Sequence, residues 1–257
     1  MDLGIKGKRA LVTGGGRGLG RSIASCLANE GVQVAIVSRT KEDIDSFLRE
    51  FGSDHRGLTY DLVADGAPTQ MVDELLSSFG YPDIVVHNVG GNLDISDPFC
   101  SVSDWRKIYR FNLEIAVELN LLLVPEMQKK QWGRVVHISS IAALENQGTV
   151  PYCAMKAALS SYTRSFGRFV SKDGVNISAV LPGAVFTKGG YWDTTLKTRP
   201  EHVEKYLKER MAIQRFGEPD EIGKVVTFLC SQQASFVVGS SVLVDGGQGR
   251  TFQFDVE

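Results

Sequence analysis

Arg9-Ala10-Leu11-Val12-Thr13-Gly14-Gly15-Gly16-Arg17-Gly18-Leu19-Gly20 is the stretch that decides how this chain folds. Its first residues read as a short buried strand, and a helical pattern begins at Leu19 with only glycines and one arginine between. Glycines let a backbone turn tightly, approach a pyrophosphate and pack a helix against a sheet, and the helix N-terminus supplies amide donors at a positive dipole end. The G-x-G-x-x-G spacing is not met; the fit is Gly14-x-x-x-Gly18-x-Gly20, with Gly16 and Arg17 inside the turn. Strand, glycine turn and helix in that order open a βαβ unit with a phosphate site at the turn.

Outward from this unit the same alternation continues. Apolar runs rich in Val and Ile at 32–38, 57–61, 84–87, 134–139, 176–181 and 241–244 join 9–13 as strands. Stretches of helical period at 19–30, 41–51, 68–79, 103–130, 151–171 and 219–230 separate them. Parallel strands buried on both faces read as continuous apolar runs, as these do. The fold predicted is α/β: a Rossmann-type doubly wound parallel sheet of about seven strands with helices on both faces, one domain spanning 1–257. The one long interval without a strand, Thr187 to Phe216, is polar, aromatic and helix-capable, and is expected to cover the strand ends, where open α/β sheets bind ligands.

With 257 residues, 43% hydrophobic and 23% charged, the chain has the balance of one ordinary domain with a substantial core. The net charge of -2 and the scattered Lys and Arg residues provide no footprint for nucleic acid. Cys26, Cys100, Cys153 and Cys230 are far apart and lack a C-x-x-C spacing, which suits reduced thiols in the cytoplasm. No apolar run is long enough to span a bilayer, so no membrane partner is expected.

Two sites carry chemistry. At the end of the second strand an acid would bind the adenosine ribose hydroxyl of NAD; this chain has Ser38-Arg39-Thr40 instead. Arg39, with Arg17 from the glycine turn and a hydroxyl, makes a dianion pocket, so NADP (NADPH) is expected in preference to NAD. Further on, Tyr152 and Lys156 stand four apart in a helix and share a face. An ammonium beside a phenol lowers the phenol's pKa and makes it a proton donor and acceptor near neutral pH. The spacing alone also fits an amphipathic surface stripe. His137 reads as a core histidine, and His55, His87 and His202 have no metal-ligand spacing, so no metal is expected.

The glycine spacing, the Tyr152/Lys156 pair and their order together resemble the short-chain dehydrogenase/reductases of the classical type, most closely the 3-oxoacyl-carrier-protein reductase-like branch, over nearly the whole chain. Asp61-Leu62, Asn88-Val89-Gly90, Asn112, Ser139-Ser140, Pro182-Gly183 and Val244-Asp245-Gly246-Gly247 also match that pattern. The resemblance implies that Asp61 and Leu62 touch adenine, that Asn88 and Gly90 line the adenosine side, and that Pro182 and Gly183, with Val185 and Thr187 beyond, contact the nicotinamide. It further implies that Tyr152 is the acid, that Lys156 tunes it and binds the nicotinamide ribose, and that Asn112 holds a water linking Lys156 to solvent. The catalytic serine, which hydrogen-bonds the substrate oxygen, is Ser140 if the strand ends are aligned, and Ser139 if residues are simply counted back from the tyrosine. Three departures stand out: His87-Asn88-Val89-Gly90 in place of the usual Asn-Asn-Ala-Gly, the serine loop, and a tail from Arg250 to Glu257.

What is implied is a hydride transfer between the nicotinamide and a small-molecule carbonyl or secondary alcohol. Two alternatives use the same residues: an NAD-dependent alcohol or sugar dehydrogenase, or a dehydratase or epimerase. A non-catalytic dinucleotide sensor or scaffold is the alternative of another class, and the presence of the full Ser, Tyr, Lys and Asn set weighs against it. In the 187–216 lid, Tyr191 and Trp192 either line the substrate site or pack the lid on the body, and Asn92 lies in a loop that flanks substrate in similar enzymes. A homotetramer, joined through the helices carrying Asn112 and Tyr152 and through the C-terminal strand, is the assembly the resemblance implies.

Overall fold

Strands Arg9–Thr13 (β1), Gln33–Ser38 (β2), Arg56–Thr59 (β3), Ile84–His87 (β4), Gly133–Ile138 (β5), Val175–Pro182 (β6) and Ser241–Val244 (β7) form one parallel sheet in the order β3-β2-β1-β4-β5-β6-β7. This computed structural model describes residues 1–250. The tail from Arg250 to Glu257 therefore lies almost wholly outside the described residues. Chain direction across the sheet reverses between β1 and β4, and at such a switch the loops diverge and leave a crevice.

Alternate residues of each strand feed two separate cores. Ala10, Val12, Val34, Ile36, Ile84 and Val86 face helices Gly18–Asn29 (α1) and Lys41–Phe51 (α2), whereas Leu11, Ala35, Val37 and Val85 face the opposite layer. That opposite layer holds Ala67–Ser78 (α3), Ile115–Lys129 (α5) and Val150–Val170 (α6). Both strand faces are thus apolar, which is why β1, β2 and β4 read as continuous runs rather than alternating ones.

The first and last helices of the sheet layers are neighbours. Helix α9 (Pro219–Leu229) lies against α1, where Ser22 Oγ donates to Asp220 Oδ1 at 2.6 Å and Gly223 leaves room for the Cys26 thiol. Ile23, Leu27, Ile222 and Val226 lock that contact into the first core. A capping box between Glu218 and Glu221 starts α9, with Pro219 in its first turn.

One element differs from the sequence expectation, and the strand-free interval takes definite form. The single helix predicted for 103–130 is three pieces: α4 (Val102–Tyr109), a π-helical turn at Arg110–Glu114, and α5. The 187–216 interval carries two short helices, α7 (Tyr191–Thr198) and α8 (Pro200–Arg210), set apart by Arg199. No helix among the described residues is long and apolar enough to cross a membrane.

Candidate active site

Gly14 and Gly18 take positive φ values of 64° and 55°, a conformation that costs a residue with a β-carbon. A β-carbon on Gly20 would run into the Gly14 carbonyl oxygen, so that glycine is what lets α1 start tight against the turn. Asn88 fastens the turn from the next strand. Its backbone N–H donates to Thr13 Oγ1 at 3.0 Å, and its amide Nδ2 donates to the Thr13 and Gly14 carbonyls at 3.1 and 3.3 Å.

Two adjoining clefts open above this turn and share Arg17, Asn88 and Gly90. The first, about 300 Å³, is lined by Gly14, Gly16, Arg17 and Gly18, by Ser38, Arg39 and Thr40, and by Asp61 and Leu62. Phe111, Asp43 and Tyr60 line it too, and sequence reasoning missed them. Phe111 reaches the cleft from the π turn, a position no helical pattern in the sequence marks. The second cleft, about 370 Å³, is lined by Leu19, Gly20, Ser139, Ser140, Tyr152, Lys156, Pro182, Gly183, Val185, Thr187 and Trp192. Neither cleft is lined by Asn92 or Tyr191. Asn92 bends its own loop, its Oδ1 accepting from the Asp94 N–H, and Tyr191 is 63% exposed with its ring edge-on to Trp192.

The two serines separate clearly. Ser139 is buried, donates to the Lys156 carbonyl at 3.1 Å and pairs with Ser160 Oγ at 3.0 Å, so its hydroxyl is engaged in holding α6 against β5. Ser140 sits at the strand end, accepts from the Ala142 N–H and hydrogen-bonds the Tyr152 phenol.

Electrostatics around Tyr152 differ from the sequence expectation. Burial pushes the phenol above its ordinary range, and the hydrogen bond with Ser140 is what pulls it back down. The Lys156 ammonium is 5.6 Å from the ring centroid and donates to the Ile138 carbonyl at 2.9 Å. Burial brings Lys156 itself down to about 8, so it, rather than the tyrosine, is the group of this pair poised near neutrality.

Gly90 brings the rest together. A β-carbon there would sit 2.8 Å from Lys156 Nζ and 2.9 Å from Asn112 Oδ1, so the bare backbone lets both approach. Asn112, buried in the π turn, accepts from the Gly91 N–H at 3.0 Å and donates to the Gly91 and Ile108 carbonyls at 2.8 and 3.0 Å. The turn thus lets one amide hold both the loop after β4 and the preceding turn of α4.

Behind the site a buried polar chain crosses from β4 to α6. Asn120 Oδ1 accepts from His87 Nε2 at 2.8 Å, and its Nδ2 donates to His137 Nε2 and the Tyr162 hydroxyl, both at 3.2 Å. His137 Nδ1 pairs with Thr163 Oγ1 at 2.8 Å, and the two imidazoles stack at 5.0 Å. His137 is a hydrogen-bonded core residue, and burial holds both histidines far below their ordinary pKa, His87 at about 4. Among the described residues no group of three or more His, Cys, Asp or Glu side chains is arranged to hold a metal ion.

A family model described as Enoyl-(Acyl carrier protein) reductase matches residues 14–248. The 3-oxoacyl-[acyl-carrier-protein] reductase FabG of Aquifex aeolicus is 33% identical over 252 residues, 96% of this chain and 99% of that protein. L-sorbose reductase from Gluconobacter frateurii, solved with NADPH and L-sorbose, superposes with a TM-score of 0.89 at 30% identity, covering 96% of this chain and 98% of the other. A 3-oxoacyl (acyl-carrier-protein) reductase from Agrobacterium tumefaciens with NADP bound superposes with a TM-score of 0.88 at 28% identity, over 95% of each chain.

Proposed function

The chain belongs to the short-chain dehydrogenase/reductase family, and from that premise we propose that it is an NADPH-dependent reductase of a carbonyl compound, or in reverse a dehydrogenase of the matching secondary alcohol with NADP+ as hydride acceptor. The observation that carries this reading is the convergence of Ser140, Tyr152, Lys156, Pro182 and Gly183 on one cleft that runs into a second cleft bounded by Arg17, Ser38 and Arg39.

The residues fit the cofactor. A β-carbon on Gly16 would fill the space beside Ser38 Oγ at 2.6 Å, so the cradle depends on its bare backbone. Two guanidiniums and the Ser38 and Thr40 hydroxyls suit a 2′-phosphate, and the NADPH and NADP complexes of the similar structures support the same choice. Asp61 and Leu62 would face adenine, Asn88 and Gly90 the sugar, and Pro182, Gly183, Val185 and Thr187 the nicotinamide. When bound, NADPH supplies the hydride for the carbonyl carbon.

The chain's own residues handle the proton and the oxygen. Tyr152 donates its phenolic proton to the carbonyl oxygen, and Ser140 donates a hydrogen bond to that oxygen as negative charge develops. Lys156, protonated below about 8, stabilises the resulting phenolate and returns a proton to it. Asn112, whose Oδ1 borders Gly90 on the same side as Lys156 Nζ, orders the route by which that proton is resupplied. Residues 187–216 act as a substrate lid, with Trp192 reaching the cleft. The substrate is a small carbonyl compound or secondary alcohol, and 3-oxoacyl thioesters and keto-sugars head the candidates because the similar enzymes are named for them.

Assembly into a homotetramer is supported by apolar side chains left uncovered on the expected faces: Leu121 (66% exposed) on α5, Phe169 on α6, and Leu243 on the edge strand β7. Four unpaired cysteines agree with a cytoplasmic, reducing setting.

A Tyr152→Phe variant tests the reading. Turnover should fall by about 10²- to 10⁴-fold while NADPH affinity measured by fluorescence titration holds; undiminished turnover would refute it. For the cofactor, NADPH should outperform NADH in kcat/KM, and Arg39→Leu should cut that ratio by roughly tenfold. A wild-type preference for NADH would instead assign the adenosine end to Asp43.

A further inference from the structure

We infer that Gln248 is a positioning residue that latches the substrate lid to the backbone facing the nicotinamide, so that lid closure and substrate affinity depend on one buried side-chain amide. The inference rests on the reductase reading above. Gln248 is 3% exposed, although it lies in the final turn of the described chain. Both ends of its amide are engaged. Oε1 accepts from the Ala184 N–H at 2.7 Å, immediately after Pro182 and Gly183, and Nε2 donates to the Tyr206 hydroxyl on α8 at 2.6 Å.

Each side of this bridge is built for it. A β-carbon on Gly183 would fall 2.7 Å from Gln248 Oε1, so only glycine admits the side chain so close to the nicotinamide segment. The turn that presents Gln248 is shaped by Asp245, whose carboxylate accepts from the Gly247 and Gly249 N–H groups at 3.1 and 2.7 Å. On the lid, Tyr206 packs on Trp192 with ring centroids 4.4 Å apart, and Trp192, with Thr187, lines the cleft from the lid. A continuous path therefore runs from Ala184 through Gln248 and Tyr206 to Trp192. Arg250 adds a second tie to the same helix, donating to the Glu209 carbonyl at 2.9 Å.

A buried amide that satisfies two partners on separate segments stabilises only the arrangement in which both are present. With the lid lifted, Gln248 Nε2 and the Tyr206 hydroxyl must find water. Lid opening is thereby coupled to the segment that contacts the nicotinamide, and the coupling sits outside the Ser140, Tyr152 and Lys156 set.

Hydrogen exchange read by mass spectrometry on the cofactor-free protein, together with steady-state kinetics on a panel of 3-oxoacyl thioesters, keto-sugars and ketones, tests the latch. Tyr206→Phe breaks only the lid end. Peptides covering 191–210 should exchange about tenfold faster, and the carbonyl KM should rise by about the same factor while the NADPH KM stays within threefold. Gln248→Met breaks both ends and should raise the NADPH KM as well. Gln248→Glu, which can still bond both partners, should restore slow lid exchange. Unchanged lid exchange in Tyr206→Phe would overturn the inference, as would faster exchange spread equally to the β6 peptide, which would mark a merely structural role. Absence of turnover on every carbonyl would sink the reductase reading, and the exchange result alone would then decide the latch.

Discussion

Lys156 concentrates the electrostatic cost of the site in one residue. Its ammonium is buried, held by the Ile138 carbonyl, and titrates at about 8 against an ordinary value of 10.5. Between those values the unfolded chain keeps a proton that the folded chain has released, so stability rises with pH across that window, by up to about 1.4 kcal/mol per pH unit from this residue. Cys26, Cys153, Cys230 and Tyr152, all raised by burial, push the other way at alkaline pH, so the measurement is a difference. Urea titrations at pH 7.5 and 9.5 should give Lys156→Met a stability gain over the wild type that shrinks at the higher pH. An advantage that is independent of pH would mean that Lys156 is not titrating there. The sequence makes this lysine and Tyr152 legible as neighbours because helical spacing fixes which side chains share a face. Their charge relation is not legible, because burial and the Ile138 carbonyl come from β5 and not from the helix.

At the scale of elements, the π turn at Arg110–Glu114 and the glycine segment after β4 work as a pair. Asn112 reaches Gly91 and Ile108 because the wider turn aims it there, and Gly90 leaves space for its carbonyl oxygen and for Lys156 Nζ. Gly90→Ala should displace both. Turnover should drop by roughly 10²-fold, the effect expected of an ångström-scale misplacement, with a smaller change in the NADPH dissociation constant. Wild-type turnover in this variant would separate Asn112 and Lys156 from the proton path. Strand and helix boundaries were readable to within one or two residues at most positions, including β1, β4, β7 and α2, since short continuous apolar runs mark the buried strands and a 3.6-fold apolar period marks the helices. The π turn was invisible because residues 103–130 keep a helical composition throughout, and one extra residue in a turn leaves no compositional trace. Tyr206 and Gln248 were equally silent: their pairing joins segments 42 positions apart and depends on tertiary placement alone.

At the scale of the whole molecule, the second apolar core carries a polar seam: the chain from His87 through Asn120 to His137 and Thr163 runs between the sheet and helices α5 and α6. His87 Nδ1 is buried without a partner among the described residues. Both imidazoles are held neutral, so between about pH 6.5 and 4 the unfolded chain binds protons the folded one refuses, and stability falls as pH drops through that range. His87→Asn, which restores the residue usual at this position in the family resemblance, should flatten the acid side of a urea-midpoint profile by up to about 1.4 kcal/mol per pH unit. An identical acid slope in the variant would place the sensitivity elsewhere.

The contact between α1 and α9 sets a schedule for the newborn chain. Helix α1 ends at Asn29 and the helix that covers its apolar face begins at Pro219. At 5–20 residues per second, a ribosome needs on the order of 10–40 s to deliver the second after the first. Ile23 and Leu27 spend that interval without their final cover. A chain stopped before Pro219 would retain Gly14, Gly18, Gly20, Ser140, Tyr152 and Lys156 and still lack the surface against which its first helix is held.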